Sequence, residues 1–244
     1  MARFNKPAMI MFDYGHTLTY EDKWDSVKGE RALLEYAISN KNNLSAEQID
    51  AFAEDLYGKF RKARRESGME IGERQLQRLT YEFLQIKIDL SPERIEEIYW
   101  DNASPAYPMP HIGETLAFLR GAKIRTGVIS NNSFSEVVLK NRLNRILPDN
   151  CFEFFISSCD YMIRKPNKLI FDLALRKADL DAGDVWYCGD SVEYDIEGAS
   201  AAGIFPVWYE SEVDCWYVER GSQTAPGCDH MHITDWRELI DALK

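Results

Sequence analysis

Short apolar runs alternate with segments of helical spacing along the second half of this 244-residue chain, and this alternation limits the fold more than any other feature. Buried strands joined by helices pack as right-handed strand–helix–strand units around a parallel sheet. Strands are predicted at 8–12, 124–129, 152–156, 185–188, 205–208 and 231–233, and helices at 112–121, 134–146, 167–178, 193–202 and 235–243. The pattern predicts a doubly wound, Rossmann-like α/β core.

The first predicted strand is separated from the others by a long helical stretch. Apolar residues at three- and four-residue spacing predict four helices, and Ser45 and Ser91 carry helix-start signals. These helices are predicted at 24–39, 45–66, 73–88 and 92–102. The proline-dense segment 104–110 then ends the helical region. We therefore expect a core formed by 1–20 and 108–244, with an all-helical cap, 21–107, inserted after the first strand.

The charge balance restricts the partners of the chain. Lys and Arg number 29 against 40 Asp and Glu, which gives a formal net charge of −11. Such a chain repels phosphate backbones and anionic lipid, so neither nucleic acid nor membrane is an expected partner, although one local pocket can still bind a small anion. No segment is apolar for long enough to span a membrane, and no signal peptide is recognisable, so a cytoplasmic monomer or homodimer is expected.

The five cysteines show no C-x-x-C spacing, which argues against a disulfide framework or a common zinc site. Cys215, Cys228, His230 and His232 are the one grouping that could be drawn together, and we interpret them as ordinary loop and strand-edge residues.

Polar residues follow four of the predicted elements at the same edge of the sheet. They fall in the segments 13–17, 130–132, 164–166 and 189–195. In open α/β sheets, ligands bind beyond the carboxyl ends of the strands. Three carboxylates (Asp13, Asp190, Asp195) can hold a hard cation, and a lysine with a hydroxyl (Lys165, Ser130) can bind an anion beside it. This inventory predicts phosphoryl transfer.

The same four segments resemble, in the same order, the four motifs of the haloacid dehalogenase (HAD) superfamily. The matching stretches are Phe12-Asp13-Tyr14-Gly15-His16-Thr17-Leu18, Val128-Ile129-Ser130-Asn131-Asn132, Arg164-Lys165-Pro166 and Cys188-Gly189-Asp190-Ser191-Val192-Glu193-Tyr194-Asp195-Ile196. The helical insertion resembles the type I cap of that family. The resemblance thus implies a phosphatase acting on a small phosphorylated metabolite.

The resemblance also implies a role for each motif residue. Asp13 is the expected nucleophile, which forms an aspartyl-phosphate, and Lys165 neutralises charge beside it. Substrate contacts are expected from Ser130, Asn131, Asn132 and Thr17. The cofactor implied is Mg²⁺, held by Asp13, the carbonyl of Gly15, Asp190 and Asp195.

Gly15 is a departure from the family pattern, because family phosphatases usually have a second Asp there that protonates the leaving group. Three interpretations remain open. The protein is a phosphatase that prefers leaving groups needing little protonation, such as sugar 1-phosphates or acyl phosphates, or that uses His16 as its acid/base. Alternatively, it is a metal-independent haloacid dehalogenase. In the third interpretation it only binds a phosphorylated ligand or partner with little turnover.

The cap and one loop contain further candidates that no motif identifies. Trp24, Lys28, Arg31 and the basic cluster Lys59, Arg61, Lys62, Arg64 and Arg65 are candidates for substrate contact from the cap. The loop 211–229, with Trp216 and Tyr217, is long enough for a functional role, but its sequence does not indicate which role.

Overall fold

The structure, a computed structural model, describes residues 6–214, 216, 221 and 223–244. Within that part of the chain the strands are β1 Met9–Phe12, β2 Thr19–Glu21, β3 Ala37–Asn40, β4 Ile86–Ile88, β5 Ala106–Pro108, β6 Arg125–Ser130, β7 Phe152–Ser157, β8 Val185–Gly189, β9 Phe205–Tyr209 and β10 Met231–Ile233. The helices are α1 Ser26–Leu34, α2 Ala46–Ser67, α3 Glu73–Leu84, α4 Pro92–Ala103, α5 Ile112–Gly121, α6 Glu136–Ile146, α7 Ser158–Tyr161, α8 Lys168–Ala178, α9 Gly198–Ala201 and α10 Trp236–Leu243. None of these helices is long and apolar enough to cross a membrane.

Six parallel strands form the main sheet in the order β10-β9-β8-β1-β6-β7, which confirms the predicted α/β core. The central strand, β1, is completely buried because helices cover both faces of the sheet. Its side chains alternate between the faces: Ile10 and Phe12 pack in the apolar cluster that includes Trp236, whereas Met9 and Met11 pack in the cluster that includes Phe171.

The inserted segment begins and ends at a pair of short antiparallel strands. β2 and β5 carry the chain out of the sheet and back, with Tyr20 opposite Tyr107. The predicted starts of α2 and α4 are confirmed, because the Ser45 and Ser91 hydroxyls accept hydrogen bonds from the backbone in the first turn. The boundaries of the expected core and cap, near residues 20 and 108, stay a prediction.

The insertion is not all-helical, so this part of the prediction was wrong. The helices expected at 24–39 and 73–88 end at Leu34 and Leu84, and β3 and β4 then pair antiparallel. Gln85 adopts a left-handed backbone (φ 57°), which stops α3, and the β-branched residues Ile86 and Ile88 follow it. Such residues favour strands, and they find a partner here in β3.

The helix expected at 193–202 is also irregular. Its first part, Val192–Glu197, is π-helical, because the Ile196 amide donates to the Ser191 carbonyl five residues earlier, and α9 follows directly. The wider turn changes the direction in which its side chains point. π-Helical turns of this kind often lie at functional sites.

Buried Arg142 in α6 joins the insertion to the core. Its guanidinium donates to the Tyr14 hydroxyl (2.8 Å), to Glu21 (3.3 Å), to Asp101 (2.6 Å) and to the Ser104 carbonyl. These groups belong to the loop after β1, to β2, to α4 and to its C-terminal cap. One cation therefore holds both crossings of the chain against the sheet.

We expect Arg142→Met to lower the free energy of unfolding by about 3–5 kcal/mol, because it removes a buried cation and leaves the partly buried carboxylate of Glu21 without its counter-charge. Arg145→Met is the matched control: Arg145 lies one turn later and is 47% exposed, so losing its ion pair with Asp101 is expected to cost less than about 1 kcal/mol. Urea denaturation of the two variants measures the difference, and equal losses would contradict the role given to Arg142.

Glu30, in α1, is a second buried charge-bearing group in the insertion. It is 2% exposed, and the Tyr81 hydroxyl of α3 donates a 2.8 Å hydrogen bond to it. Burial raises the pKa of Glu30 to about 7, although the Tyr81 hydrogen bond opposes the shift. The unfolded chain therefore loses this proton at lower pH than the folded protein does.

A carboxyl whose pKa is higher in the folded state makes the protein less stable as pH rises from the unfolded to the folded pKa. We expect Glu30→Gln to remove a loss of up to about 3 kcal/mol that the wild type suffers between pH 4.5 and pH 7. Melting temperatures at pH 5 and pH 8 test this, with Glu35→Gln, exposed at the end of the same helix, as control. The idea fails if both variants show the pH dependence of the wild type.

Candidate active site

One cavity of about 620 Å³ lies where the carboxyl edge of the sheet faces the inserted helices. The residues that the motifs predicted come to its wall from separate strands: Asp13 follows β1, Ser130 ends β6, Asp190 follows β8, and Lys165 precedes α8. The predicted residues that line it are Asp13, Gly15, Ser130, Asn131, Asn132, Lys165, Asp190 and Asp195.

The ammonium group of Lys165 is the centre of the polar end of this cavity. It is 2% exposed and lies 2.6 Å from Asp13 Oδ1 and 2.5 Å from Asp195 Oδ1. It also contacts the Tyr187 hydroxyl at 2.8 Å and the Ile129 carbonyl at 3.2 Å. One buried cation thus touches groups from the loop after β1, from β6, from β8 and from the π-helical turn.

Three carboxyl groups share one buried lysine, and this arrangement shifts the pKa values of Lys165, Asp13 and Asp190. Burial alone would lower the pKa of Lys165, but the charges of Asp13 and Asp195 outweigh it and raise that pKa. Burial, opposed by Lys165 and assisted by Asp195, raises the pKa of Asp13 to about 6. Burial together with the charges of Asp195 and Asp13 raises the pKa of Asp190 well above its usual range. The positive charge of Lys165 alone therefore does not compensate the negative charge of the three carboxyl groups.

The same three carboxyl groups fit a divalent cation. Asp13, Asp190 and Asp195 each offer an oxygen, and these oxygens lie within 4.8 Å of one another. Carboxylate oxygens are the ligands that Mg²⁺ prefers, and the excess negative charge is what such an ion would compensate. Asp195 already uses both oxygens, one with Lys165 and the other with the Ser191 amide at 3.0 Å, so it suits an orienting role beside the ion better than a sole ligand.

Close packing at the end of β8 makes this arrangement possible. A Cβ atom on Gly189 would collide with the carboxyl carbon of Asp195, so only glycine permits this approach. The backbone of Asp190 is held from the other side, where its carbonyl accepts hydrogen bonds from Trp208 Nε1 (3.2 Å) and Gln223 Nε2 (2.8 Å).

The side chains in the loop after β6 have two roles: one holds Lys165 in place, and others are available to contact a ligand. The Asn131 side chain accepts from the Lys165 amide (2.7 Å) and donates to the Lys165 carbonyl (3.0 Å), so it braces the lysine. Asn132 Oδ1 accepts from the Phe134 amide, whereas its Nδ2 is buried without a partner in the described part of the chain. Ser130 and Asn132 are therefore better suited than the Asn131 side chain to meet a ligand.

Two predicted site residues do not reach the cavity wall in the structure described here. His16 has a left-handed backbone (φ 55°) and a buried ring near the Val213 backbone, and burial lowers its pKa. Thr17 is completely buried, and its carbonyl accepts from Trp236 Nε1. The acid/base role of His16 and the substrate contact of Thr17 stay predictions, without a contact at the cavity to support them.

Of the candidates from the cap, Trp24 and Arg64 line the cavity. Lys28 and Arg31 are exposed and form surface ion pairs, as do Lys59, Arg61 and Lys62. The side chain of Arg65 lies outside the described residues.

Residues that the motifs did not predict also line the cavity. Glu73, Leu76, Gln77 and Thr80 share one face of α3, a spacing that is visible in the sequence but does not say which neighbour the face meets. Arg64 and Arg164 also line the wall, and buried Glu70 lies between them.

Part of the loop 211–229 lies outside the described residues, including Cys215 and Tyr217. Gln223, from the described part, bonds the backbone of Asp190 and also that of Val192 (2.7 Å). The ring of His232 stacks on Trp208 at 4.3 Å, and His230 bonds the Cys228 carbonyl.

Comparison with known proteins agrees with this geometry. Residues 8–203 match the model of the haloacid dehalogenase-like hydrolases. The chain is 29% identical over 205 residues to the pyrimidine 5′-nucleotidase YjjG of Escherichia coli, covering 82% of this chain and 84% of that protein. It is 30% identical over 138 residues to a glyceraldehyde 3-phosphate phosphatase of Methanothermobacter thermautotrophicus, covering 56% of this chain and 58% of that one.

A similar fold is found among solved structures. The 2-haloacid dehalogenase of Pseudomonas syringae pv. Tomato DC3000 superimposes with a TM-score of 0.60 at 22% identity, covering 96% of this chain and 97% of that one. The family match spans all four motif segments as well as the insertion. This chain therefore belongs to the haloacid dehalogenase-like hydrolases.

Proposed function

We propose that this protein is a Mg²⁺-dependent phosphatase that hydrolyses a small phosphorylated metabolite and uses Asp13 as the nucleophile. The observation that carries the proposal is the cluster of Asp13, Lys165, Asp190 and Asp195 in the wall of one cavity. Related proteins that are named as a nucleotidase and a phosphatase support the same reaction class.

The chemistry proceeds in two displacements at phosphorus. One Asp13 oxygen forms a bond to phosphorus while the ester P–O bond breaks, and the leaving oxygen takes a proton as it departs. Water then attacks the resulting aspartyl-phosphate, which releases inorganic phosphate and regenerates the carboxylate. Covalent capture divides one difficult hydrolysis into two easier steps.

The surrounding residues act by charge and position. Lys165, at 2.6 Å from Asp13, offsets the negative charge that accumulates when a phosphoryl group meets a carboxylate. Ser130 and the backbone after it are suited to the phosphoryl oxygens. Mg²⁺, held by Asp13 and Asp190 with the Gly15 carbonyl and Asp195 beside them, would supply Lewis-acid charge compensation.

The cluster of carboxylates also argues against the other interpretations. A metal-independent dehalogenase gains nothing from placing Asp190 beside Asp13 and Asp195, because desolvation and the charges of these two residues raise the pKa of Asp190 well above its usual range even though Lys165 opposes the shift. The likeness to a dehalogenase structure concerns the fold alone. A protein that only binds its ligand would need no nucleophile next to the lysine.

We expect Asp13→Asn to lower phosphate release by at least about 10³-fold, because the amide cannot form the covalent intermediate, while the fold is retained. The measurement is phosphate release from p-nitrophenyl phosphate and from a panel of phosphorylated metabolites. Asp22→Asn, at an exposed position, is the matched control. Equal turnover in wild type and Asp13→Asn would remove Asp13 as the nucleophile.

We also expect Mg²⁺ to raise the melting temperature of the wild type, because an ion that binds only the folded state stabilises it. At about 100 times its dissociation constant the gain is about 2.7 kcal/mol, or about 5–10 °C for a chain of this size. Asp190→Asn should lose the shift, and EDTA should reverse it in the wild type. A shift of the same size in Asp190→Asn would count against the metal assignment.

A further inference from the structure

The wall of the cavity contains polar atoms that lack partners. In the described part of the chain, four buried side-chain atoms have no hydrogen-bond partner, and three of them belong to residues that line this cavity: Asn132 Nδ2, Gln77 Nε2 and Thr80 Oγ1. Gln77 is 5% exposed and Thr80 is 1% exposed. A buried polar group without a partner is costly, so these atoms indicate a ligand that supplies the missing hydrogen bonds.

Gln77 and Thr80 form a patch together with acceptor groups. They lie one turn apart on the face of α3 that also presents Glu73 to the cavity, and Glu30 lines the wall nearby. The cavity wall also includes Asp50 and Glu54. Burial raises the pKa of Glu73 to about 8 and that of Glu30 to about 7, so near neutral pH these two carboxyl groups hold protons and can donate as well as accept. The patch therefore combines an amide donor with carboxyl groups that both donate and accept.

This combination selects among ligand groups. An ammonium group cannot accept a hydrogen bond from Gln77 Nε2, and a carbonyl or a second phosphate cannot donate to the carboxyl groups. A hydroxyl does both, so a ligand with several hydroxyls satisfies the patch best.

The size and the aromatic side chains of the cavity agree with a ring-shaped polyol. A volume of about 620 Å³ lies within the roughly 300–1,000 Å³ typical of small-molecule sites, and Trp24 and Tyr99 line it edge-to-face at 5.8 Å. These rings offer apolar surface to the C–H face of a sugar. Because Gly15 has no acidic side chain, the site favours an ester whose leaving oxygen needs little protonation. The anomeric oxygen of a sugar 1-phosphate is a leaving group of this kind.

We infer that Gln77 and Thr80 are specificity-determining residues that bind the hydroxyl groups of the leaving group, and that the substrate class is a sugar 1-phosphate. This inference rests on the proposed phosphatase function. It assigns the phosphate to the Lys165 end of the cavity and the sugar to α3.

The test compares kcat/KM for wild type, Gln77→Leu and Thr80→Val. The substrates are glucose, galactose, mannose and ribose 1-phosphates, set against glucose 6-phosphate, uridine 5′-monophosphate, glyceraldehyde 3-phosphate, phosphoethanolamine and p-nitrophenyl phosphate. Gln75→Leu, the same substitution at an exposed position of α3, is the matched control.

We expect a sugar 1-phosphate to give the highest kcat/KM. Gln77→Leu and Thr80→Val should each lower that value by about tenfold or more, mainly through KM, because each leaves a substrate hydroxyl unpaired. The ratio of kcat/KM for the sugar 1-phosphate to kcat/KM for p-nitrophenyl phosphate, which has no hydroxyls to bind, should fall in both variants and stay constant in Gln75→Leu. The inference is overturned if glucose 6-phosphate, a nucleotide, triose phosphate or amino-alcohol phosphate is preferred, or if the α3 variants act like Gln75→Leu.

A failure of the proposed function has a different signature. If no ester releases phosphate, the phosphatase proposal fails, and calorimetric titration of the same sugar 1-phosphates then decides the inference separately. Binding tighter than that of inorganic phosphate, weakened by Gln77→Leu but not by Gln75→Leu, supports the α3 subsite. Binding that is no tighter than inorganic phosphate, or that Gln77→Leu leaves unchanged, overturns it.

Discussion

The ammonium group of Lys165 is the interaction on which the site depends. It lies within 3.2 Å of groups in the loop after β1, on β6, on β8 and in the π-helical turn, so four separate stretches of the chain converge on one buried charge. Two carboxylates at 2.5–2.6 Å compensate the cost of burying it, and without it the repulsion among Asp13, Asp190 and Asp195 would oppose their approach. The catalytic geometry and the local packing are therefore the same set of contacts.

Residues whose positions follow from strand topology could be predicted from the sequence. The carboxyl ends of neighbouring parallel strands meet at one edge, so Asp13, Ser130 and Asp190 had to be close once the strands were recognised. What could not be predicted depends on local backbone detail. The left-handed turn at His16 keeps that residue and Thr17 from the cavity wall, and the pairing of β3 with β4 requires a contact between distant segments that helical periodicity does not report.

Prediction from the sequence has the same limit on the cap side of the cavity. Periodicity places Gln77 and Thr80 on one face of α3, but it does not say whether that face meets solvent, the core or a ligand. The answer comes from contacts at the N-terminal end of the helix, where the Glu73 amide donates to the Ser133 carbonyl at 2.8 Å. Arg74 of α3 adds a second link, since its guanidinium donates to buried Glu96 of α4 at 2.7 Å, and Glu96 also accepts from the amide and the hydroxyl of Ser135 at the start of α6. These bonds turn the face of α3 toward the site.

The two ends of the cavity therefore do different physical work. The sheet end carries fixed charges from loops that the fold itself holds in register, and a phosphoryl group needs little beyond charge and alignment. The α3 end carries an amide, a hydroxyl and carboxyl groups on an inserted segment, where substitution alters hydrogen bonding without removing a contact of Lys165. Gly15 has no acidic side chain, so residue 15 cannot protonate the leaving group. Only an ester whose leaving oxygen needs little protonation is then hydrolysed, and this requirement limits which of the molecules bound at the α3 end are substrates.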